Sequence, residues 1–323
     1  MVPPMPTAGP ELLATLPPTP TAGTACPRCS VEPVGRLAGV VAAETGATYG
    51  IEACPRCGLG RTRPVPADLG PYYDSAYYGN RHGLTARFCR RRRLRFLRRW
   101  AGPGAGRALL DYGCGDGDFL AAARGDGWLG VGVERARPAD PAGGLPIVAS
   151  LDELAGRPPV AAATFWHVLE HLPDPVGVLD QVRGGLAPGG VVLATVPNFA
   201  SWQARAAGAG WLHLDLPRHL WHFTPSALTR TFEAAGFAVA GLSFGELEYD
   251  AIGWAQGSLN RHLGGRNEFF RALSGRPGAG SKARRAVQVG LGLGLVATAG
   301  GLAVVESWLG RGGTIVIAAR ARG

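Results

Sequence analysis

A glycine-rich segment at residues 109–120 carries the clearest chemistry of this 323-residue chain. It joins a short apolar run to Gly113, Gly115 and Gly117, so its backbone can approach a ligand closely and present N–H groups at a helix start. A glycine turn alone is weakly specific, because nicotinamide binders share it. Asp111, two residues before the first glycine, would repel a pyrophosphate and attract an α-amino group. The pattern favours a ligand with an amino-acid part.

A second acid, Glu134, closes the next apolar run at 129–133. A carboxylate there can accept hydrogen bonds from both ribose hydroxyls of a nucleoside. Cys114, inside the turn, is interpreted as a small packing residue rather than a nucleophile. The residues predicted to form the cofactor site are Asp111, Gly113, Cys114, Gly115, Asp116, Gly117 and Glu134.

These segments resemble motifs of class I S-adenosylmethionine (SAM)-dependent methyltransferases. The match continues in order through residues 165–175, 186–190 and 196–198, which resemble the branch that includes ubiquinone-type O-methyltransferases. It covers roughly residues 70–245. The resemblance implies SAM as co-substrate, held by the residues matching Asp111, Gly113, Gly115 and Glu134, and a seven-stranded sheet. Its last strand would run antiparallel between the fifth and sixth strands.

The elements that would position this site alternate along the chain. Short apolar runs separated by amphipathic segments predict an α/β fold with a Rossmann-like, doubly wound parallel sheet. A Pro-Gly-Gly at 188–190 predicts a helix stop that leads into a strand. The predicted strands are 108–112, 129–133, 146–148, 160–166, 190–196, 237–243 and, after sixty less regular residues, 313–321.

Two nearly identical Cys-Pro-Arg-Cys pairs precede this domain. Each places two thiolates on a tight turn, as tetrahedral zinc requires, and a site closed by four cysteines is typical of structural zinc. We therefore predict a small N-terminal, zinc-ribbon-like β module. Its metal ligands would be Cys26, Cys29, Cys54 and Cys57.

The aromatic segment 71–79 follows the cysteine pairs. Cysteine pairs, this tyrosine segment and the methyltransferase motifs together are similar to sugar methyltransferases of antibiotic and surface-polysaccharide pathways, including C-methyltransferases of nucleotide-linked keto sugars. The resemblance implies that Tyr77 and Tyr78 lie near the cofactor, and Tyr78 is predicted as a binding residue. An aromatic seam between domains is the alternative interpretation.

Histidines supply candidates for a general base. Methyl transfer to an oxygen needs an aligned nucleophile and a base with a pKa near neutrality. His219 and His222 lie in the segment 214–225, which would cover the substrate, and are the favoured candidates; His167 follows the fourth strand and is a third. The alternatives are that the first two only fix their loop and that His167 belongs to a packing segment.

Two further segments bear on partners. The helix predicted at 85–100 is rich in arginine, which indicates a solvated face or contact with phosphate or anionic lipid. Residues 287–305 are almost wholly apolar, long enough to span a bilayer. A single crossing would leave the predicted last strand on the wrong side, so we expect this segment to be buried, interfacial or re-entrant, with peripheral membrane contact as one outcome.

Composition adds little about partners. The net charge of +9 is almost all arginine, and with 50 glycines it suggests a coding bias rather than a function. The chain contains no Asn-Pro-Pro-Tyr sequence, which argues against nucleic-acid adenine as the acceptor, although zinc ribbons often contact nucleic acid. The first 25 residues lack the features of a secretory signal, so we expect a cytoplasmic protein, with membrane association if the apolar segment provides it.

These features predict six regions: a disordered proline-rich tail at 1–25, a zinc module at 26–66, an aromatic and arginine-rich connector at 67–106, a SAM-binding core at 107–250, a helical insertion at 251–312 and the last strand at 313–321. We expect a methyltransferase of a small acceptor, a sugar or a nucleotide- or lipid-linked sugar, with a histidine base. The alternatives are methylation of a quinone or lipid-like phenol at a membrane, and a non-catalytic SAM- and zinc-binding protein. The acceptor atom and the oligomeric state stay open.

Overall fold

The computed structural model describes residues 25–42, 45–73, 85–136, 141–264, 267–278 and 280–322. The predicted tail lies outside these residues apart from Ala25, and so do Tyr77 and Tyr78.

A seven-stranded sheet forms the centre of the fold, in the order β10-β11-β8-β7-β4-β5-β6. The central strands are parallel, whereas β11 is antiparallel to both of its neighbours. This confirms the predicted Rossmann-like class, including a last strand inserted beside the fifth. The strands are β4 (Ala108–Tyr112), β5 (Leu129–Val133), β6 (Ile147–Val148), β7 (Val160–Trp166), β8 (Leu186–Pro197), β10 (Phe237–Phe244) and β11 (Thr314–Ala321).

Helices cover the sheet, and several begin at side-chain caps that the sequence supplies. Asp174 accepts from the Gly177 N–H at the start of α3, and Thr224 accepts from the Ala227 N–H at the start of α5. Both caps precede a proline at the first helical position, where no N–H is needed. The helices are α1 (Ala86–Ala101), α2 (Asp118–Gly125), α3 (Pro175–Gly184), α4 (Trp202–Ala207), α5 (Pro225–Ala234), α6 (Leu247–Leu263), α7 (Glu268–Leu273) and α8 (Lys282–Trp308).

An antiparallel sheet lies at the N-terminal side, with the order β1-β2-β3-β9. Its first three strands are β1 (Val34–Val41), β2 (Thr48–Ala53) and β3 (Gly60–Arg63). The fourth, β9 (Trp221–His222), comes from the segment between β8 and β10 of the larger domain and pairs with Gly60 and Arg61 of β3. Ile51 and Leu59 share one hydrophobic core with Phe223 of the larger domain. The cysteine module is therefore packed into the larger domain rather than appended to it.

Strand β8 begins at Leu186, four residues before the predicted start. The Pro-Gly-Gly segment lies inside this strand, not before it, with a register shift opposite β7 between Val160 and Ala162. Such an irregularity accommodates a proline and glycines at a strand end.

Between β10 and β11 the chain forms α6, α7 and α8. The apolar segment 287–305 lies within α8, which packs against α6 and α7. Within the described part of the chain, α8 alone is long and apolar enough to cross a membrane by length and composition, with 22% of its most apolar window buried. Both flanking strands belong to one sheet, so α8 leaves and re-enters the same domain.

Candidate active site

The glycine turn connects β4 to α2 with backbone angles that suit glycine. Gly113, Gly115 and Gly117 have φ values of 74°, 60° and 86°. A Cβ on Gly113 would lie 2.5 Å from a methyl group of Val168, so the turn packs tightly against the end of β7. This keeps the backbone of the turn open to a ligand at the carboxyl edge of the sheet.

Asp111 is 2% exposed at the end of β4. The Thr164 hydroxyl donates a hydrogen bond of 2.6 Å to its carboxyl group. Burial raises the pKa of Asp111 to about 7, against the hydrogen bond from Thr164 and the positive charge of Arg93. A cationic ligand group would restore the ionised state, which suits an α-ammonium group.

The Glu134 carboxylate lies at the glycine turn, as predicted from its place after β5. One oxygen accepts a 3.0 Å hydrogen bond from the Gly115 N–H, and the other a 3.3 Å bond from the Ala136 N–H. Each oxygen keeps a second acceptor position for a ribose hydroxyl.

The other two turn residues play local roles. The Cys114 thiol is buried, and a Cβ on Gly132 would lie 2.4 Å from its sulfur, so the side chain faces β5. Burial raises the pKa of this thiol, which keeps it protonated. Asp116 is exposed, and its carboxylate accepts from the Asp118 N–H at the start of α2.

A buried charged cluster that was not predicted lies beside Asp111. The Arg93 guanidinium on α1 lies 5.3 Å over the ring of Trp166, and its Nε has no hydrogen-bond partner among the described residues. Arg92 pairs with Glu246 at 2.7 Å. The run of arginines in α1 was the available signal, but only the fold shows that two of them, 9% exposed or less, turn inward.

His167 follows β7 in a left-handed conformation, with φ of 57°. Its Nε2 lies 2.9 Å from Glu246 and its Nδ1 3.5 Å from Glu170. Burial lowers the pKa of His167, but the two carboxylates outweigh it and raise the pKa to about 9. At neutral pH this imidazole is therefore a cation and a donor rather than a base.

His219 has the opposite character. Its Nδ1 donates to the His213 carbonyl at 3.0 Å, so in the neutral ring Nε2 carries the lone pair, 3.7 Å from an Asp215 carboxylate oxygen. Burial lowers the pKa of His219 to about 4, so the ring is neutral at pH 7. Its ring lies 4.6 Å from that of His171, and potential metal-ligand atoms of Glu170, His171 and His219 lie within 4.8 Å of one another.

His222 is held by the cysteine module. Its Nε2 lies 3.0 Å from the hydroxyl of Thr62, which itself donates to the His219 carbonyl. Since the hydroxyl proton is used in that second bond, Nε2 of His222 must carry the proton. The ring is 4% exposed and its centroid lies 5.3 Å from that of Phe199, so it is packed in place as a positioning residue would be.

The four cysteines converge on one point. Their sulfurs lie within 4.8 Å of one another, and those of Cys26 and Cys57 are 3.8 Å apart. A tetrahedron with Zn–S bonds near 2.3 Å has sulfur–sulfur edges of about 3.8 Å. The donor set and its spacing therefore fit zinc. Thr224, the cap of α5, donates a 2.6 Å hydrogen bond to the Cys57 carbonyl and links this site to the core.

A parallel sheet that brings a glycine turn and two acids together at its carboxyl edge defines a domain for binding an amino-acid-bearing nucleoside. Residues 81–241 match a family model described as a methyltransferase domain. The ubiquinone biosynthesis O-methyltransferase of Chromobacterium violaceum is 30% identical over 169 residues, covering 47% of this chain and 72% of that protein.

The corresponding enzyme of Idiomarina loihiensis is 28% identical over 177 residues, covering 48% of this chain and 73% of that protein. The crystal structure of a SAM dependent methyltransferase from Archaeoglobus fulgidus has 18% identity and a TM-score of 0.45, covering 72% of this chain and 93% of that chain. The chain belongs to the class I SAM-dependent methyltransferases.

Proposed function

We propose that this methyltransferase acts on a hydroxyl group of a small acceptor, a sugar or a nucleotide- or lipid-linked sugar, with His219 as general base. The observation that carries the proposal is the geometry of His219: Nδ1 donates to the His213 carbonyl, so Nε2 carries the lone pair, and an Asp215 carboxylate oxygen 3.7 Å away would stabilise the imidazolium that forms when Nε2 accepts a proton. The cysteine module that holds its loop supports a sugar acceptor through the resemblance described above.

The cofactor residues follow from the geometry around the glycine turn. Asp111 would bind the α-ammonium group of SAM, and Glu134 the ribose hydroxyls, beside backbone N–H groups of the turn. Arg93, buried near Asp111 with its Nε unpartnered within the described ranges, would bind the α-carboxylate. SAM supplies the electrophilic methyl group.

The protein's own contribution is to hold the acceptor and move one proton. His219 accepts the hydroxyl proton at Nε2 while the acceptor oxygen forms a bond to the methyl carbon; the carbon–sulfur bond breaks and its electron pair stays on sulfur. His222 and Thr62 keep the His219 backbone in place. His167, whose two ring nitrogens face Glu246 and Glu170, would position the segment after β7 rather than bind the acceptor.

We also propose that the four cysteines hold a structural zinc ion. The metal would fix the Cys54–Cys57 turn, whose Cys57 carbonyl accepts from Thr224, and β3, whose Thr62 contacts His219. Zinc would thereby order the acceptor loop without taking part in the chemistry. Tyr78, which lies outside the described residues, is proposed to bind the cofactor on the resemblance alone.

The test begins with calorimetric titration of the zinc-loaded protein with SAM, for wild type, Asp111→Asn and Glu134→Ala. An acceptor screen starting with nucleotide sugars follows, with His219→Ala and His222→Ala compared on the acceptor found. We expect His219→Ala to lower kcat by about a hundredfold or more and His222→Gln, whose amide can replace the Nε2 donor, to retain more activity than His222→Ala. Undiminished kcat in His219→Ala would remove it as the base.

A second candidate is methylation of a quinone or lipid-like phenol by a cytoplasmic enzyme in peripheral contact with a membrane. Two observations favour it: the relatives named as ubiquinone biosynthesis O-methyltransferases and the exposed apolar residues of α8. A phenol needs less help from a base than a sugar hydroxyl. Turnover of a polyprenyl catechol, with little loss in His219→Ala and none of the nucleotide sugars methylated, would favour this candidate.

A further inference from the structure

Helix α8 buries the side chains of Gln288 and Glu306 and exposes most of its large apolar side chains. The Glu306 carboxylate is fully buried and accepts a 2.8 Å hydrogen bond from the Gln203 side chain. Gln288, also fully buried, lies 3.5 Å from Gln256 on α6. The exposed large apolar side chains of the helix and its end are Val287, Leu291, Leu293, Leu302, Val304, Val305, Trp308 and Leu309.

The outward surface, formed by those eight residues and named here the α8 face, carries no charge. Between Arg285 and Arg311 the sequence has one ionisable residue, Glu306, and it points inward. Residues 286–305 carry no ionisable side chain, and at 1.5 Å per residue they span about 30 Å of helix. A surface helix of a water-exposed protein has the reverse arrangement, so the α8 face is shaped for an apolar environment.

Within the segment 251–311, cations border the α8 face. The segment contains two carboxylates, Glu268 and Glu306, and both are fully buried. Among the described residues of this segment, the exposed ionisable side chains are Arg261, His262, Lys282, Arg284 and Arg311. An apolar surface bordered by cations is complementary to an anionic lipid surface and would repel a second copy of itself.

The shape of the surface also favours a bilayer. At 100° per residue, Leu293, Val287 and Leu302 spread over about half of the helix circumference. A second helix would cover only the strip that it contacts, whereas a lipid surface covers the whole arc. A groove of about 290 Å³ between α4, α6 and α8, lined by Trp254, Leu295 and Leu302, with Arg261 at its side, offers room for part of one lipid chain.

We propose that the α8 face docks this enzyme in the plane of an anionic bilayer, with the helix lying in the interface. Because β10 and β11 flank the helical segment in one sheet, α8 does not cross the membrane. Trp308, 91% exposed, inserts at one end, while Lys282 and Arg284 contact lipid phosphates at the other. This docking identifies an anionic lipid surface as the partner in the membrane contact. It rests on the second candidate function, in which the enzyme acts at a membrane.

The experiment is flotation of the full-length protein with vesicles of phosphatidylcholine alone or with about a third phosphatidylglycerol, at low and high salt. Wild type is expected to float with the anionic vesicles and to dissociate partly in high salt. Leu291→Asp and Val305→Asp are each expected to weaken partitioning about tenfold or more, because each removes an exposed apolar side chain that the bilayer would bury. Lys282→Glu with Arg284→Glu should remove the preference for phosphatidylglycerol.

Leu129→Asp is the matched control, because Leu129 is 64% exposed on β5 and should leave flotation unchanged. Quenching of tryptophan fluorescence by brominated lipid should fall in Trp308→Phe. SAM affinity must be unchanged in every variant, which separates loss of docking from loss of folding and from failure of the methylation proposal. Wild type that stays unbound, or variants that float as well as wild type, would overturn the docking. So would a wild-type dimer that ignores vesicles and dissociates in Leu291→Asp.

Discussion

Asp111 should make SAM binding depend on pH. The carboxyl group has a pKa of about 7 because it is buried, and it must ionise to pair with the α-ammonium group. The ionised fraction of such a group rises from about 3% at pH 5.5 to about 50% at pH 7.0. If the complex forms only with the carboxylate, the Kd for SAM falls about fifteenfold over this range, or about 1.6 kcal/mol.

The other charged groups around this site change little over that range. His167 has a pKa of about 9 and stays protonated, whereas His219, with a pKa of about 4, stays neutral. The α-amino group of SAM, with a pKa near 7.7 or above, stays mostly protonated up to pH 7.0. A change in the Kd for SAM between pH 5.5 and 7.0 can therefore be assigned to Asp111.

The same shift predicts how Asp111 affects stability. A carboxyl group whose pKa is higher in the folded state binds more protons when folded, so stability falls as pH rises from about 4 to about 7. The cost at pH 8 has an upper bound of roughly 4 kcal/mol for a shift of this size. Asp111→Asn removes that cost and should raise the Tm at pH 8 while weakening SAM binding.

Titration calorimetry at pH 5.5, 6.25 and 7.0 (about 0.75 apart), in buffers of different ionisation enthalpy, measures both the affinity and the protons released. Wild type should release close to one proton at the lowest pH, and Asp111→Asn should release none and show a flat profile. Thr164→Val is the companion variant, because it removes the 2.6 Å hydrogen bond and should move the pKa of Asp111 further up. An affinity in wild type that does not vary with pH would refute the reasoning.

Three other outcomes are expected. Gly113→Ala should weaken SAM binding at least about tenfold, since its Cβ meets Val168 at 2.5 Å and its φ is 74°, and Val168→Ala in the same chain should recover part of the loss in a titration. Cys54→Ser should lose metal, as read by elemental analysis, and lower the Tm, whereas Cys89→Ser, outside the cluster, should retain metal. Thr62→Val removes the contacts with the His219 carbonyl and His222, so kcat should fall while the Kd for SAM stays constant; a parallel loss of both would contradict a role confined to the acceptor loop.

Local patterns were enough to locate the core strands. The strands at 108–112, 129–133 and 160–166 were predicted with the bounds that the structure shows, because each is a buried apolar run bounded by turn residues. The glycine turn could be predicted equally well, since only glycine adopts its backbone angles at a low cost in conformational energy. The start of strand β8 was harder to predict, because a proline and two glycines near its start are typical of a turn.

Such local patterns could not predict contacts between residues that are far apart in the chain. Nothing in the residues 221–222 marks them as a strand, since two residues acquire that conformation only when β3 pairs with them. The burial of Arg92 and Arg93 also depends on contacts between distant parts of the chain. A run of arginines does not indicate which of them will pair with Glu246. Neither contact is local in the chain.

The sequence by itself determined which chemical groups this protein carries: a glycine turn with Asp111, a second acid in Glu134 and four thiols in two Cys-Pro-Arg-Cys pairs. These depend on residue type and short spacing, which the chain carries before it folds. The tertiary structure alone decided the protonation state of His167 and of His219. His167 is cationic because Glu246 lies beside it, and His219 is neutral because it is buried, so burial and distant partners set what local sequence could not.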